Sequence, residues 1–214
     1  VKETYEDVLC DNALIEGSIE MQTPPVSPSD CDSLIRNGDA EDSSTEPTYW
    51  LHRTGGVRVV KDEGVGGSNA FGDYERNREH LDAIAQYLDT RCMSLRYGRD
   101  YEIKAWVKLV DESTGEAYMC NENTEKCPEV GIQAESRAGK LWRKEPVAAA
   151  VVSANPSAYQ LVYGVLRVNN LMRDAESILF YVERNRRSLA MFVDNVEMNL
   201  LSENTPQTCS DEVV

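Results

Sequence analysis

Carboxylates near both ends of the chain are well suited to hold a hard cation. Glu41 follows an apolar segment near the start, and Asp194 lies inside an alternating apolar segment near the end. If the first and last strands of a β-domain pair, these two carboxylates lie close together. Calcium takes about six to eight oxygen ligands from several loops. We therefore expect a structural Ca²⁺ site at Glu41 and Asp194, with further oxygens from Asp39 and from Ser68 in the glycine-rich loop 64–69.

Aromatic residues beside polar ones form a second group with possible chemistry. Segment 101–109 alternates, so that its apolar residues share one face and Trp106 shares the other with charged residues. Segment 86–91 alternates too, and it projects Tyr87 and Arg91 from one face. Aromatic rings with polar neighbours can stack on sugars and bond their hydroxyls. The candidate carbohydrate-binding residues are Trp106, Tyr87, Arg91 and Trp50.

Structural roles for the same residues remain open from the sequence. Trp106 could instead pack under a loop as part of the fold, and Tyr87 and Arg91 could belong to a solvated cluster across two strands. Asp194 could cap a turn or pair with an arginine instead of binding calcium. Catalysis has no comparable support, because His52 and His80 lack any nucleophile signature around them. Paired carboxylates carry no information in a chain this acidic. We predict that the chain is not an enzyme and has no catalytic residues.

The charge of the chain excludes several classes of partner. The 214 residues carry a formal net charge of -15 and a pI near 4.6, which argues against nucleic acid and anionic membrane surfaces. No apolar run approaches the length of a membrane span, so we expect no membrane insertion. The chain begins at Val1 without a signal-like segment, and we interpret it as a piece of a longer secreted product.

Six cysteines point to disulfide bonds in an oxidising compartment, and hence to a secreted or extracellular protein. Their number is even, and no Cys-x-x-Cys pair of the kind that zinc sites use is present. Cys120 and Cys127 flank a polar turn and are predicted to bridge a hairpin tip.

The body of the chain is predicted to be all-β. Short alternating segments, such as 33–36, 84–89, 92–96 and 101–110, are separated by Gly, Pro, Asn and Asp clusters. This spacing is typical of a β-sandwich of two antiparallel sheets. We predict an N-terminal extension and proline-rich linker at 1–30, one β-module at 31–201 and a polar tail at 202–214.

Three motifs occur in the order seen in a known group of modules. They are Asn37-Gly38-Asp39-Ala40-Glu41 with Trp50, Gly98-Arg99-Asp100-Tyr101 with Ala105-Trp106-Val107-Lys108, and Phe192-Val193-Asp194-Asn195-Val196. Residues 31–201 resemble the β-jelly-roll carbohydrate-binding modules of families four, nine and twenty-two, which belong to the galactose-binding-like superfamily. The resemblance implies a jelly-roll fold, a glycan or polysaccharide partner, and a structural calcium held at Glu41, Asp194 and a loop after the third strand.

Two functions are therefore predicted. The first is a non-catalytic, calcium-stabilised glycan-binding module of an extracellular protein. The alternative is a structural or adhesive module that builds a matrix, wall or filament by contacts with other extracellular proteins or copies of itself.

Since the two ends of a jelly roll meet, a Cys31–Cys209 bond is expected, with Cys10–Cys92 following by elimination.

Overall fold

A computed structural model describes residues 26–52, 56–74, 83–120, 127–150, 159–183 and 188–202. These residues form eleven strands, two short α-helices and two 3₁₀ turns. The strands are β1 (Leu51–His52), β2 (Gly56–Val60), β3 (Ala70–Tyr74), β4 (Ile84–Tyr87), β5 (Asp100–Asp111), β6 (Ala117–Tyr118), β7 (Glu129–Ser136), β8 (Leu141–Ala150), β9 (Gln160–Arg167), β10 (Ala175–Glu183) and β11 (Leu189–Leu200). The helices are α1 (Thr90–Leu95) and α2 (Asn170–Arg173), and the 3₁₀ turns are Pro28–Cys31 and Val65–Gly67.

The strands run in the spatial order β1-β4-β10-β7-β8-β9-β5-β11-β3-β2, with β6 beside β5, and all their pairings are antiparallel. Among the described residues, the pairs that join β8 to β9 are only Ala149–Tyr163 and Ala150–Val162, and this narrow joint divides the array into two layers. We call β1, β4, β10, β7 and β8 the front sheet, and β9, β5, β11, β3 and β2 the back sheet. Apolar residues of both sheets meet in one core, which confirms the predicted β-sandwich.

Strand β5 shows how the sequence pattern builds this core. Its residues alternate strictly between buried and half-buried, and the buried set includes Ile103, Val107 and Leu109. A pleated strand turns successive side chains to opposite faces. Trp106 and Lys108 therefore point away from the core, as the alternation predicts.

The first segment of the module pairs with the last strand, as expected. Leu34 N donates to Met198 O over 3.0 Å, and Leu200 N donates to Asp32 O over 2.7 Å. The predicted strand at 33–36 is nevertheless only an isolated bridge between Ser33 and Asn199.

The side-chain amide of Gln86 forms the hydrogen bonds with this segment that the backbone of a neighbouring strand would otherwise form. Gln86 Oε1 accepts from Arg36 N over 2.9 Å, and Gln86 Nε2 donates to Arg36 O over 2.8 Å. Gln86 is buried, so both of its polar groups are satisfied by the backbone they hold.

The predicted strand at 92–96 is wrong, because these residues lie in or directly after α1. Asp89 is the N-cap of this helix, and its side chain accepts from Arg91 N over 3.0 Å. A short acidic residue at this position satisfies a backbone N–H that the first helical turn leaves open. Strand β4 therefore ends at Tyr87, and Arg91 does not continue its alternation.

Two disulfides are present among the described residues. Cys120 is bonded to Cys127, as predicted. The predicted hairpin tip between them, residues 121–126, lies outside the described residues. The expected Cys31–Cys209 and Cys10–Cys92 bonds are wrong, because Cys31 is bonded to Cys92. The turn Pro28–Cys31 packs against α1 and brings the two Cα atoms to 5.2 Å. Cys10 and Cys209 lie outside the described residues.

Within the described ranges, no helix has the length and apolar character needed to span a bilayer.

Candidate functional site

The four predicted calcium ligands lie around the loop 61–69. Asp194 is fully buried on β11, where its Oδ2 accepts from Val65 N over 2.7 Å and from the Ser68 hydroxyl over 3.0 Å. Glu41 accepts from Asn69 N over 2.7 Å and from Asn69 Nδ2 over 3.0 Å. The loop is thereby fastened to both the opening segment and the last strand.

Burial dominates the electrostatics of Asp194. Removal from water raises the pKa of this carboxyl above its ordinary value, and the negative charge of Asp39 raises it further. The N–H groups of Val65 and Asn195 and the Ser68 hydroxyl oppose this shift, because they bond to the ionised form. No lysine or arginine of the described residues forms an ion pair with Asp194.

The chemistry of this oxygen-rich corner suits a hard cation, but the arrangement is only partly that of a metal site. No group of three or more His, Cys, Asp or Glu side chains within the described ranges is placed to hold a metal. Val65 N–H and the Ser68 hydroxyl already bond to Asp194 Oδ2. An ion bound to this oxygen would compete with those donors, whereas the other oxygen, Oδ1, accepts only from Asn195 N among the described residues.

Trp50 is the predicted sugar-binding residue that the structure rules out. Only 5% of it is exposed, and its ring packs 5.1 Å from that of Phe71, measured between centroids. Its indole Nε1 donates to Arg36 O over 3.1 Å and to Asn37 O over 2.9 Å. A buried tryptophan needs such a partner for its N–H, so Trp50 fixes the opening segment from inside the core.

Tyr87 and Arg91 lie together at one end of the front sheet. They line a cavity of about 450 Å³ with Arg36 and Asp89. The guanidinium of Arg91 bonds to both oxygens of Asp89 and holds the pKa of that carboxyl below its ordinary value. Tyr87 is 61% exposed, so its ring is accessible.

Trp106 lies on a different surface from Tyr87 and Arg91. It is half-buried on the outer face of the back sheet, between Leu161 of β9 and Asp194 of β11. The core separates this face from the front sheet. The four predicted carbohydrate-binding residues therefore belong to three different places, and they do not form one site.

The outer face of the front sheet, which we call the front face, carries polar residues that sequence reasoning missed. Leu179, Tyr181 and Glu183 of β10 point to this face, which is separate from the main core. Glu183 is a carboxylate only 2% exposed. Tyr181 is buried beside it, and its ring crosses Gly131, where an added Cβ would lie 2.4 Å from the ring. The sequence offered one indication of them: Tyr181 and Glu183 lie two residues apart in an otherwise apolar strand, so their side chains point to the same face.

Three rows of side chains cross the front face in register. The first row is Tyr87, Leu179, Gln133 and Arg143. The second is Leu51, Ala85, Tyr181 and Gly131, and the third is Glu183, Glu129 and Ala149. Arg143 Nε donates to Gln133 Oε1 over 3.0 Å. Tyr181 and Glu183 are 0% and 2% exposed, so the groups of this face that solvent reaches are Tyr87, Gln133 and Arg143.

Solved structures with the same fold are carbohydrate-binding modules of family twenty-two, one of the three families that the motifs resemble. A xylan-binding domain of this family is 14% identical, with a TM-score of 0.58, and the match covers 78% of this chain and 95% of that one. The C-terminal family 22 module of Clostridium thermocellum Xyn10B is 13% identical, with a TM-score of 0.58 and coverage of 79% and 95%. The second family 22 xylan-binding domain of Paenibacillus barcinonensis Xyn10C is 15% identical, with a TM-score of 0.57 and coverage of 77% and 98%.

No family model matches the sequence, and no curated protein matches it significantly. At this level of identity the structural likeness concerns the fold alone. The chain is a β-sandwich jelly roll with the architecture of the family 22 carbohydrate-binding modules.

Proposed function

We propose that this chain is a non-catalytic carbohydrate-binding module that holds its glycan on the front face. The observation that carries the proposal is Glu183, a carboxylate buried on the outer side of a sheet and next to Tyr181. Burying a carboxyl group is costly unless hydrogen bonds or ions compensate it. Such groups therefore concentrate at functional sites more than on ordinary sheet faces.

The chemistry of the front face suits a sugar. The accessible Arg143–Gln133 pair offers both donors and acceptors. Glu183, at 2% exposure, can offer a sugar hydroxyl at most the edge of its carboxylate as an acceptor. The accessible ring of Tyr87 at the edge of the first row can stack on a pyranose. Because the structural relatives include xylan-binding domains, xylan is the first polysaccharide to test.

The test is titration of the full chain with xylohexaose, followed by a panel of other neutral oligosaccharides if xylohexaose does not bind. Glu183→Gln should weaken binding by about tenfold or more, because a hydrogen bond to a charged group is lost. Tyr87→Ala should weaken it about tenfold through the lost stacking. Tyr97→Ala removes a similarly exposed ring just after α1 and is the matched control. Unchanged affinity in both front-face variants would refute this site.

We further propose that calcium stabilises the loop 61–69. Glu41, Asp194, Asp39 and Ser68 supply oxygens from three segments of the chain that meet there. The buried charge of Asp194, unmatched by a described lysine or arginine, supports a cation as its partner. The disulfides support the proposed secreted or extracellular location, where calcium is abundant.

A structural or adhesive role is the second candidate. The side chains of Leu95, Tyr97 and Leu171 are all exposed, and they lie in or beside the two contacting helices α1 and α2. Exposed apolar residues on adjoining elements are typical of protein interaction surfaces. Sedimentation of the full chain, compared with a Leu95→Ser/Leu171→Ser variant, tests this role. A monomer at all concentrations would exclude self-assembly through this surface.

A further inference from the structure

The outer face of the back sheet contains an open cleft of about 400 Å³ on the opposite side of the sandwich from the front face. Its floor is Trp106 and Lys108 of β5, together with Tyr159 directly before β9. The residues Asp62 to Gly66 of the loop 61–69 form its wall. We call this the back cleft.

The side chains of the back cleft are held in place by one another. Tyr159 donates its hydroxyl hydrogen to Glu63 O over 2.6 Å. Lys108 Nζ bonds to Glu63 Oε2 over 2.8 Å, and it lies 5.9 Å from the centre of the Tyr159 ring and 5.5 Å from that of Phe192. Aromatic rings attract a cation at such distances. The ammonium is therefore fixed at the floor with two aromatic neighbours.

The wall of the cleft is also fixed. Val65 N donates to Asp194 Oδ2, and Gly64 N donates to Ser68 O over 2.8 Å. Gly66 has φ of 74°, and a side chain there would meet no atom within 4 Å. Gly66 therefore lies at the mouth of the cleft, and it has no side chain that could block the opening. A site that exists before its ligand arrives avoids the cost of ordering loops on binding.

We propose that the back cleft is a second carbohydrate-binding site, independent of the front face, and that it takes one neutral pyranose unit. The half-buried indole of Trp106 provides the stacking surface. Lys108 provides N–H donors, and Glu63 provides an acceptor, so that both kinds of partner for a sugar hydroxyl lie beside the ring. The volume of the cleft is at the small end of the range for ligand sites, which matches a single ring rather than a long chain.

The charges of the cleft select against acidic sugars. Asp62 and Glu63 outnumber Lys108 among the lining residues that the structure describes, and the chain as a whole is strongly acidic. A uronate or a sulfated sugar would face net repulsion at this position. Neutral sugars avoid that penalty, because their hydroxyls bond to either charge of the Lys108–Glu63 pair.

Two sites on opposite faces would make the module bivalent. A front face and a back cleft that each hold a neutral glycan would link two polysaccharide chains through one sandwich. Linked binding sites also raise apparent affinity for a polymer without new contacts.

The experiment follows the Trp106 indole N–H by NMR in the ¹⁵N-labelled full chain, with Trp106→Phe used only to assign its signal. Xylohexaose, cellohexaose and mannohexaose are the neutral probes, and hexagalacturonic acid is the anionic comparison. Each is added up to about 10 mM, which saturates sites of millimolar affinity. The titrations are repeated in a Tyr87→Ala/Glu183→Gln variant, which disables the front face.

We expect at least one neutral probe to shift the Trp106 signal with the same dissociation constant in both backgrounds, and hexagalacturonic acid not to shift it. Lys108→Met should weaken this binding roughly tenfold. Lys104→Met breaks a similar Lys–Glu pair on the same strand but outside the cleft, and should leave binding unchanged. The proposal is overturned if no neutral probe shifts the signal, if the shift disappears in the front-face variant, or if Lys108→Met binds normally. Loss of front-face binding alone would refute only the proposed function.

Discussion

Asp194 is a buried carboxylate, and the described groups that favour its ionisation are hydrogen-bond donors. Val65 N–H, Asn195 N–H and the Ser68 hydroxyl all donate to it. Burial nevertheless raises its pKa. A cation at this position would lower the free energy of the charged form, and so would couple metal binding to the stability of the loop.

At the level of this residue, we expect calcium to raise the melting temperature of the full chain and excess chelator to lower it. Calcium at about a hundred times its dissociation constant would add roughly 2.7 kcal/mol of stability. Asp194→Asn should abolish the calcium-dependent part while keeping a similar shape. Differential scanning calorimetry measures both. Identical melting curves with and without calcium in metal-free wild-type protein would refute the site.

Tyr101 provides a test of a buried hydrogen bond. Its hydroxyl donates to Cys31 O over 2.6 Å, and burial raises its pKa from 10.0 to about 12. The unfolded chain therefore ionises first, so this contribution to stability is fully present below pH 10 and is lost as the pH rises from 10 towards 12. Tyr101→Phe should cost about 1–3 kcal/mol at pH 8 and show less loss of stability above pH 10.

Urea unfolding at pH 8 and pH 11 measures the effect of Tyr101. Tyr87→Phe, at an exposed tyrosine, controls for the general titration of tyrosines. If the two variants lose equal stability on going to pH 11, the Tyr101 bond is not responsible.

Residue positions differ in how well the sequence reveals them. The face of Trp106 was predictable, because a long alternating strand fixes the direction of every side chain in it. Trp50 precedes a strand of only two residues, so no periodicity indicates that it is buried. Glu183 was missed because its burial depends on which strands flank β10, and this depends on the topology.

Among the elements, the opening segment depends on close contact with β11. Val196 N donates to Gly38 O over 2.9 Å, and a Cβ at Gly38 would lie 1.9 Å from Val196 O. Neither backbone can move without breaking the pairing of the first segment with the last strand.

We therefore expect Gly38→Ala to lower the free energy of unfolding by about 2–3 kcal/mol or more. Gly139→Ala is the matched control, because Gly139 has φ of 72° in an open turn with no atom within 4 Å of an added Cβ. That variant should lose only about 1–2 kcal/mol of backbone strain. Chemical denaturation measures the free energy of unfolding of both variants. Equal losses of stability would show that neighbouring residues move to relieve the steric contact at Gly38.

The elements that the sequence predicted least well are the short ones. Residues 92–96 look like a strand because Cys92 and Met93 are apolar, but one helical turn also buries both. The N-cap at Asp89 decided the outcome. In a segment this short, the cap carries more information than the periodicity.

At the scale of the molecule, the two disulfides should contribute unequally. Cys31 and Cys92 are 61 residues apart, whereas Cys120 and Cys127 are 7 apart. A longer loop loses more entropy in the unfolded chain when it is closed, so the loss of Cys31–Cys92 should cost about 4 kcal/mol and that of Cys120–Cys127 about 2 kcal/mol. Paired Cys→Ala variants, compared by thermal unfolding, test this order. A larger loss of stability on removing Cys120–Cys127 than on removing Cys31–Cys92 would contradict the predicted order.

The overall architecture was the most predictable level. Three ordered motifs and a regular series of short strands gave the all-β sandwich, because period-two burial and turn residues are local signals. The cysteine pairing was not predictable in the same way. Expecting Cys31 to pair with Cys209 relied on the ends of the jelly roll meeting, but the turn Pro28–Cys31 carries Cys31 to α1 instead.

The covalent link at Cys31 has a mechanical consequence. Tension applied to the two flanks of the module cannot peel away the opening segment beyond Cys31, since that residue is tethered to α1. The load falls on β11, whose outer end is held by bonds such as Leu200 N to Asp32 O and Leu201 N to Asp100 O. Detachment of β11 removes Asp194, the anchor of the loop that walls the back cleft. If the proposed back cleft holds a sugar, a stretching force would therefore release it once β11 detaches, while the disulfide still ties Cys31 to α1.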